Sequence, residues 1–212
     1  MALAVKRNYE EALRSFDTAV HRYPTNADAY YNRAVFHFDR HDYESALGDF
    51  DIVVRLAPTE LQGSIARGAA YLRLARYEEA MADFNKVLNL YPEGAVRAGA
   101  LNNRAWIEAA CPDARFRNGP QAVIDAKQAV DYGLWHKASC LGTLAAAHAE
   151  VADFDSAIKY VQQAIAAQKG SDILEGANEQ LTAYQQHRHW RIKAETKKSE
   201  SSLERPSPHR PR

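Results

Sequence analysis

A cysteine in a polar loop is the strongest candidate for chemistry in this 212-residue sequence. Cys111 lies beside Pro112 in the stretch NNRAWIEAACPDARFRNGPQAV, residues 102–123. A cysteine acts as a nucleophile when a base such as histidine activates the thiol and a third group orients that base. The loop holds no histidine, and the nearest in sequence is His136. We therefore expect Cys111 to be a packed, loop-supporting residue, since free cysteine is usually a small buried hydrophobe.

Other motifs for catalysis or cofactor binding are weak or missing. His187 and His189 could ligate a metal, but side chains two apart on a helix point in different directions. The sequence has no phosphate-binding G-x-x-x-x-G-K-S/T, no dinucleotide-binding G-x-G-x-x-G and no H-E-x-x-H zinc motif. We predict a protein that is not an enzyme and has no bound metal or cofactor.

The charge balance argues against a nucleic-acid partner, and the lengths of the apolar runs argue against a membrane partner. Lys plus Arg and Asp plus Glu each number 27, so the formal net charge is zero and a nucleic-acid partner is not favoured. Residues 191–212 are basic, with seven Lys or Arg against three Asp or Glu. A solvated tail is the expected interpretation of this segment, although it could touch an acidic partner. No apolar run approaches the ~20 residues of a membrane helix, so we predict no membrane partner.

The predicted location is the cytoplasm. The N-terminal stretch MALAVKRNYEEAL lacks the long apolar core of a secretion signal. The two cysteines form no C-x-x-C motif, which is typical of a protein in a reducing compartment.

A repeat of 34 residues organises the N-terminal half. Pro24, Pro58 and Pro92 follow three related stretches, NYEEALRSFDTAVHRYP, DYESALGDFDIVVRLAP and RYEEAMADFNKVLNLYP. Matched residues are spaced as on one face of an α-helix, and the proline cannot continue that helix. The matched columns are Tyr9/Tyr43/Tyr77, Ala12/Ala46/Ala80, Phe16/Phe50/Phe84 and Ala19/Val53/Val87.

A second helical pattern precedes each of the later stretches. Ala34 and Gly68 occupy one column of this pattern, and Ala46 and Ala80 face them from the following helix. Small residues on both sides let two helices approach closely, and larger ones would add strain of roughly 1–3 kcal/mol. The repeating unit is therefore predicted to be a pair of tightly crossing helices.

A 34-residue helix pair with small, Tyr, Ala, Phe, Ala and Pro columns resembles the tetratricopeptide repeat (TPR) family. The resemblance implies an all-α fold, a right-handed superhelical α-solenoid of antiparallel helix pairs with a C-terminal capping helix. Repeat 1 supplies mainly its second helix, called helix 1B. The predicted boundaries are a partial repeat 1 at 1–26, repeats 2 to 5 at 27–60, 61–94, 95–134 and 135–170, a capping helix at 171–194 and a disordered tail at 195–212.

Repeat 4 departs from this spacing. The distance from Ala105 to Ala122 is five residues longer than the equivalent distance from Ala34 to Ala46. The extra residues fall in a long turn at 111–120, where Asn118-Gly119-Pro120 is a strong helix breaker. This long-turn form resembles a TPR variant common in large bacterial repeat proteins.

The resemblance also implies a binding surface, because the first helices of such repeats line a concave face. A largely apolar set suits a peptide or partner helix. The chaperone-type clamp for a terminal carboxylate matches at Asn32 alone, since Gln62 and Ala66 replace its basic residues. Alternatively, some of these side chains pack on each other or are covered by the C-terminal segment. The predicted contact residues are Tyr31, Asn32, Val35, Phe38, Ile65, Leu72, Arg73, Asn102, Asn103 and Trp106.

Two further readings stay open. The helix 1B residues Ala12, Leu13, Phe16 and Ala19 should face a first helix that MALAV can supply only in its last turn. The chain would then be a fragment of a longer array, or it would self-associate through this end as a structural unit. A helical-repeat enzyme is the weakest alternative, because the predicted groove lacks a cluster of titratable side chains.

Overall fold

The computed structural model describes residues 2–90, 94–132, 137–168 and 176–193, with side chains from residue 9 onward. Across these ranges the chain forms ten α-helices and one short 3-10 helix, with no strand, which confirms the predicted all-α class. The helices are α1 (Ala2–Arg22), α2 (Ala27–Asp39), α3 (Tyr43–Leu56), α4 (Leu61–Arg73), α5 (Tyr77–Leu90), α6 (Ala95–Ala110), α7 (Gly119–Asp131), α8 (Lys137–Glu150), α9 (Phe154–Ala167) and α10 (Ala177–Gln185), and the 3-10 helix spans Ala114–Phe116.

The helices form an α-solenoid in which each first helix packs against the second helix that follows it. The pairs are α2 with α3, α4 with α5, α6 with α7 and α8 with α9, and α10 packs on α9. Side-chain caps start several of these helices: Asn26 accepts from the backbone of Asp28, and Asp42 from that of Ser45. No helix in the described part of the chain is both long and apolar enough to cross a membrane.

The small-residue crossings occur inside the helix pairs. Ala34, Ala46 and Ala80 are fully buried. A Cβ atom added to Gly68 would lie 2.6 Å from the ring of Phe84. Gly68 of α4 therefore makes room for Phe84 of α5. The sequence pattern places only the alanine column, here Ala80, opposite this glycine.

The first helix differs from the prediction. Residues 2–22 form one continuous helix, so the N-terminal stretch extends helix 1B instead of forming the last turn of a preceding helix. Phe16 packs against Phe36 of α2, with 5.1 Å between ring centroids. The apolar face of α1 is thus covered in part by α2.

The C-terminal region also differs from a single helix over 171–194. Residues 169–175 lie outside the described residues, and α10 ends at Gln185. His187 has a positive φ of 53°, and the N–H of Arg188 donates to the carbonyl of Ala183, which ends the helix. The chain then runs without helix through residues 186–193, here called the strap. The predicted tail at 195–212 lies outside the described residues.

The turn at His187 repeats the turn inside three other helix pairs. His41, Ala75 and Ala152 also have positive φ values, and each follows the first helix of its pair. α10 therefore ends as a first helix does, and the strap follows it where a second helix would be expected.

Candidate interaction surface

The predicted contact residues on α2 are accessible in part. Tyr31, Val35 and Phe38 are half-buried and pack on the core formed around Ala34 and Phe50. The ring of Tyr31 meets Phe50 edge-on at 5.7 Å. Asn32 beside them is exposed. These aromatic rings are held by packing and still present apolar surface.

Ile65 on α4 corrects the sequence prediction. Its exposed fraction is 8%, and it packs with Leu61, Val87 and Ala100. Because α6 of the next repeat lies over this position, Ile65 belongs to the core between repeats and is not a surface anchor. Among the other predicted residues of α4, Leu72 is half-buried and Arg73 is exposed.

One of the three predicted residues on α6, Trp106, meets the C-terminal part of the chain. The indole of Trp106 packs against that of Trp190 in the strap, with 5.5 Å between centroids and 40° between planes. Asn102 and Asn103 are half-buried. The Oδ1 atom of Asn102 is buried and has no hydrogen-bond partner among the described residues. Trp106 is therefore covered by the chain itself, which was the alternative left open above.

Arg191 and Ile192 make three polar contacts that hold the strap to the ends of α6 and α8. The N–H of Ile192 donates to the carbonyl of Ala110 at 2.9 Å, and the Arg191 guanidinium donates to the carbonyl of Ala109 at 3.3 Å. Arg191 also forms an ion pair with Glu150 at 2.7 Å. The last carbonyls of a helix lack partners within the helix and carry its negative dipole end, so they suit such donors.

Glu150 joins the strap to the long turn of repeat 4. Its side chain is 14% exposed and pairs with Arg117 at 3.1 Å on the oxygen opposite to the one Arg191 contacts. Arg117 also donates to the carbonyl of Cys111 at 3.0 Å. The turn between α6 and α7 is thus fixed to the end of α8 through one carboxylate.

A repeated set of Arg–Asp pairs was missed at the sequence level. Arg33 forms two hydrogen bonds of 2.7 Å with Asp49, and Arg67 forms bonds of 2.8 and 2.7 Å with Asp83. Arg104 bonds to Asp125 at 2.6 Å. The same arginines reach back to the preceding repeat, where they bond to Asp17, Asp51 and Asn85.

The signal for these pairs was present in the sequence. Asp17, Asp51 and Asn85 are each 34 residues apart, and so are Arg33 and Arg67. This Arg–Asp ladder joins each repeat to the one before it, and it ends at repeat 5, where the equivalent position is Leu144.

Two buried titratable groups lie near the long turn. Burial raises the pKa of the Glu108 carboxyl to about 7, with Asp125 adding to the rise and Arg104 opposing it. Burial also raises the pKa of the Cys111 thiol. Cys111 is fully buried beside Tyr77 and Phe84, as expected for a packed cysteine. A protonated, enclosed thiol is a poor nucleophile.

The histidines make packing contacts and lie close to carboxylates. His37 lies 3.2 Å from Asp42 and His148 lies 2.9 Å from Asp153, each at the turn of its helix pair. His187 stacks on Phe154 at 5.1 Å, whereas His189 lies 3.5 Å from Glu150. In the described residues, no three His, Cys, Asp or Glu side chains are grouped as metal ligands would be.

Comparisons with known proteins agree with this architecture. Tetratricopeptide repeat models match residues 1–60 and 63–93. A crystal structure of MamA is similar over 77% of this chain and 90% of its own, with 15% identity and a TM-score of 0.59. MamA 41-end from Desulfovibrio magneticus RS-1 is similar over 78% and 89%, with 19% identity and a TM-score of 0.56. No protein with a curated description matches the sequence. The chain therefore contains tetratricopeptide repeats at residues 1–60 and 63–93, and the helix pairs that follow share the same fold.

Proposed function

We propose that the protein is a non-catalytic adaptor that binds a peptide or a helix of a protein partner on α2 and α4. The observation that carries this proposal is the set of half-buried apolar side chains Tyr31, Val35 and Phe38 on α2, with Leu72 half-buried on α4. The strap's contacts described above lie on α6, α8 and α9, away from these side chains. We call the four side chains the α2–α4 face.

The α2–α4 face has the chemistry of an interaction site. A few aromatic or aliphatic side chains with fixed conformations usually supply most of the binding free energy. Phe38 is held edge-on by Tyr43 at 5.1 Å, so ordering it on binding would cost little entropy. The exposed side chains of Asn32 and Arg73 form a polar rim for backbone or side-chain contacts. We also propose that the protein acts in the cytoplasm, as its cysteine content indicates.

The test places a charge on the α2–α4 face. Val35→Asp and the control Ile124→Asp are compared with the wild type by affinity capture from lysate of the source organism. Ile124 lies on α7 and is 51% exposed, so it accepts the same charge on a second helix. We expect Val35→Asp alone to lose specific partners while its helical circular dichroism is kept. Capture of the same partners by all three proteins would contradict the proposal.

A second candidate function is self-association through α1. Ala12, Leu13, Phe16 and Ala19 are only half-buried. Their counterparts in the next repeat are all buried: Ala46, Leu47, Phe50 and Val53. A second copy covering this face would bring its burial to the level of the other repeats.

Sedimentation velocity tests self-association. We expect the wild type to show a concentration-dependent dimer or larger species and Leu13→Asp to stay monomeric. Glu10→Gln, at an exposed position of the same helix, is the control and should behave as the wild type. A wild type that remains monomeric at all micromolar concentrations would rule this candidate out.

A further inference from the structure

We propose that the ends of α6 and α8 form a second peptide-binding site, which takes an extended segment with an aromatic residue followed by arginine. The strap occupies this site as a built-in ligand, and a protein partner with the same local chemistry exchanges with it. The strap site consists of Trp106, Ala109, Ala110, Glu150 and Phe154. The strap site shares no residue with the α2–α4 face, so each proposal can be tested without the other.

The first part of the strap site accepts an aromatic side chain. Trp190 packs against Trp106 and joins the apolar cluster around Tyr184 and Val161. A Cβ atom added to Gly176 would lie 3.4 Å from the indole, an ordinary van der Waals distance. Gly176 has a φ of 71°, a backbone conformation that favours glycine. The half-buried ring is therefore contacted by Trp106 of α6, by the cluster around Tyr184 and Val161, and by the backbone at Gly176.

The second part accepts an arginine. The Arg191 guanidinium forms an ion pair with Glu150 and donates a hydrogen bond to the carbonyl of Ala109. Since Arg117 holds the other oxygen of Glu150, the carboxylate stays oriented when the strap leaves. The planar guanidinium of arginine can serve two acceptors at once, whereas the ammonium of lysine is a single point charge. The site should therefore prefer arginine to lysine.

The third part binds backbone. The N–H of Ile192 donates to the carbonyl of Ala110 at the end of α6. This contact needs no particular side chain at that position, and it sets the register of an extended segment. Main-chain bonds of this kind supply affinity in peptide recognition, while side-chain pockets supply specificity.

The strap is suited to exchange because little of it is buried. His187, Arg188 and His189 are exposed, and Lys193 forms an exposed ion pair with Glu179. A non-helical segment held by a few contacts opens at a lower free energy than the helical core. Because the strap is covalently tethered, its high effective concentration weakens competing peptides in the intact chain.

The experiment removes the built-in ligand and supplies it in trans. The full chain carrying Trp190→Ala and Arg191→Ala is titrated into a fluorescently labelled peptide of residues 186–193, QHRHWRIK, and anisotropy is recorded. We expect the double variant to bind at least about tenfold more tightly than the wild type, whose tethered strap competes. The single variant Arg191→Ala gives a second test if the double variant loses its helical signal, and it should bind more tightly than the wild type as well.

Matched variants identify the site. In the double variant, Glu150→Gln should weaken binding about tenfold, as should peptides in which Trp or Arg is replaced by Ala. Val35→Asp in the same background should leave peptide binding unchanged. A folded strap variant that binds no better than the wild type would overturn the proposal. So would binding that responds to Val35→Asp and not to Glu150→Gln, because the peptide would then lie on the α2–α4 face.

Discussion

Trp106 of α6 and Trp190 of the strap pack their indoles together at 5.5 Å, which places the end of the described chain on the first helix of repeat 4. A residue at this position of a first helix was expected to contact a partner. The structure shows that a segment of the same chain makes that contact. Trp106 is therefore covered by the chain's own strap, and none of the strap contacts described above involves the α2–α4 face.

Removing the Trp106 ring should release the strap without unfolding the helices. In Trp106→Ala, the N–H of Ile192 should lose its protection from solvent exchange, because its bond to Ala110 forms only while the strap is docked. Amide hydrogen exchange measured by NMR checks this. Trp106→Phe keeps an aromatic contact and should retain most of the protection. Equal protection in Trp106→Ala would show that the polar contacts alone hold the strap.

The Arg–Asp ladder should contribute strongly to stability through its buried carboxylates. The side chain of Asp83 is 6% exposed, so Arg67→Leu leaves a buried charge without its main partner and should cost about 3–5 kcal/mol. The double variant Arg67→Leu, Asp83→Leu should recover most of this loss, because no isolated charge remains. Urea unfolding gives both values.

The control for the ladder is an exposed pair. Arg76 and Glu79 are both more than 40% exposed, so Arg76→Gln should change the free energy of unfolding by less than about 1 kcal/mol. A loss as large as that of Arg67→Leu would mean that burial does not decide the effect.

Two glycines should respond to alanine in opposite directions. In Gly68→Ala the new methyl group would lie 2.6 Å from the Phe84 ring, so we expect a loss of about 1–3 kcal/mol. Gly48 lies within α3 and has no atom within 4 Å of an added Cβ. Gly48→Ala should stabilise by about 0.5–1 kcal/mol through better helix propensity. Thermal or urea unfolding of the pair checks the close crossing of α4 and α5, and a stable Gly68→Ala would contradict it.

The helix pairs were predicted correctly from the sequence, whereas the burial of Ile65, the docked strap and the Arg–Asp ladder were not. The helix pairs follow from local periodicity and small-residue columns, which are properties of one repeat and its neighbour in sequence. The burial of Ile65 arises from contact with α6 of the next repeat, and a groove position gives no local sign of it. The strap falls within the predicted capping helix at 171–194, so its docking on Trp106 could only be left as an alternative. The Arg–Asp ladder has the 34-residue spacing, but charged residues on a helix normally indicate a solvated face.

Glu108 should make stability depend on pH. Its carboxyl is buried, one oxygen has no hydrogen-bond partner among the described residues, and its folded-state pKa is about 7. The folded state therefore binds this proton more tightly than the unfolded state, whose carboxyl has a pKa near ~4.3. The stability from this group is fully present below the unfolded pKa and is lost as the pH rises towards 7. Glu108→Gln cannot ionise, so its stability should not follow this change.

The measurement is urea unfolding of the wild type and Glu108→Gln between about pH 5 and about pH 8. We expect the variant to gain about 1–3 kcal/mol relative to the wild type over this range, since burying a charge without a partner is costly. Glu10→Gln, at an exposed position of α1, is the control and should show no such trend. A difference between Glu108→Gln and the wild type that is constant with pH would mean that Glu108 ionises in the folded protein as readily as in water.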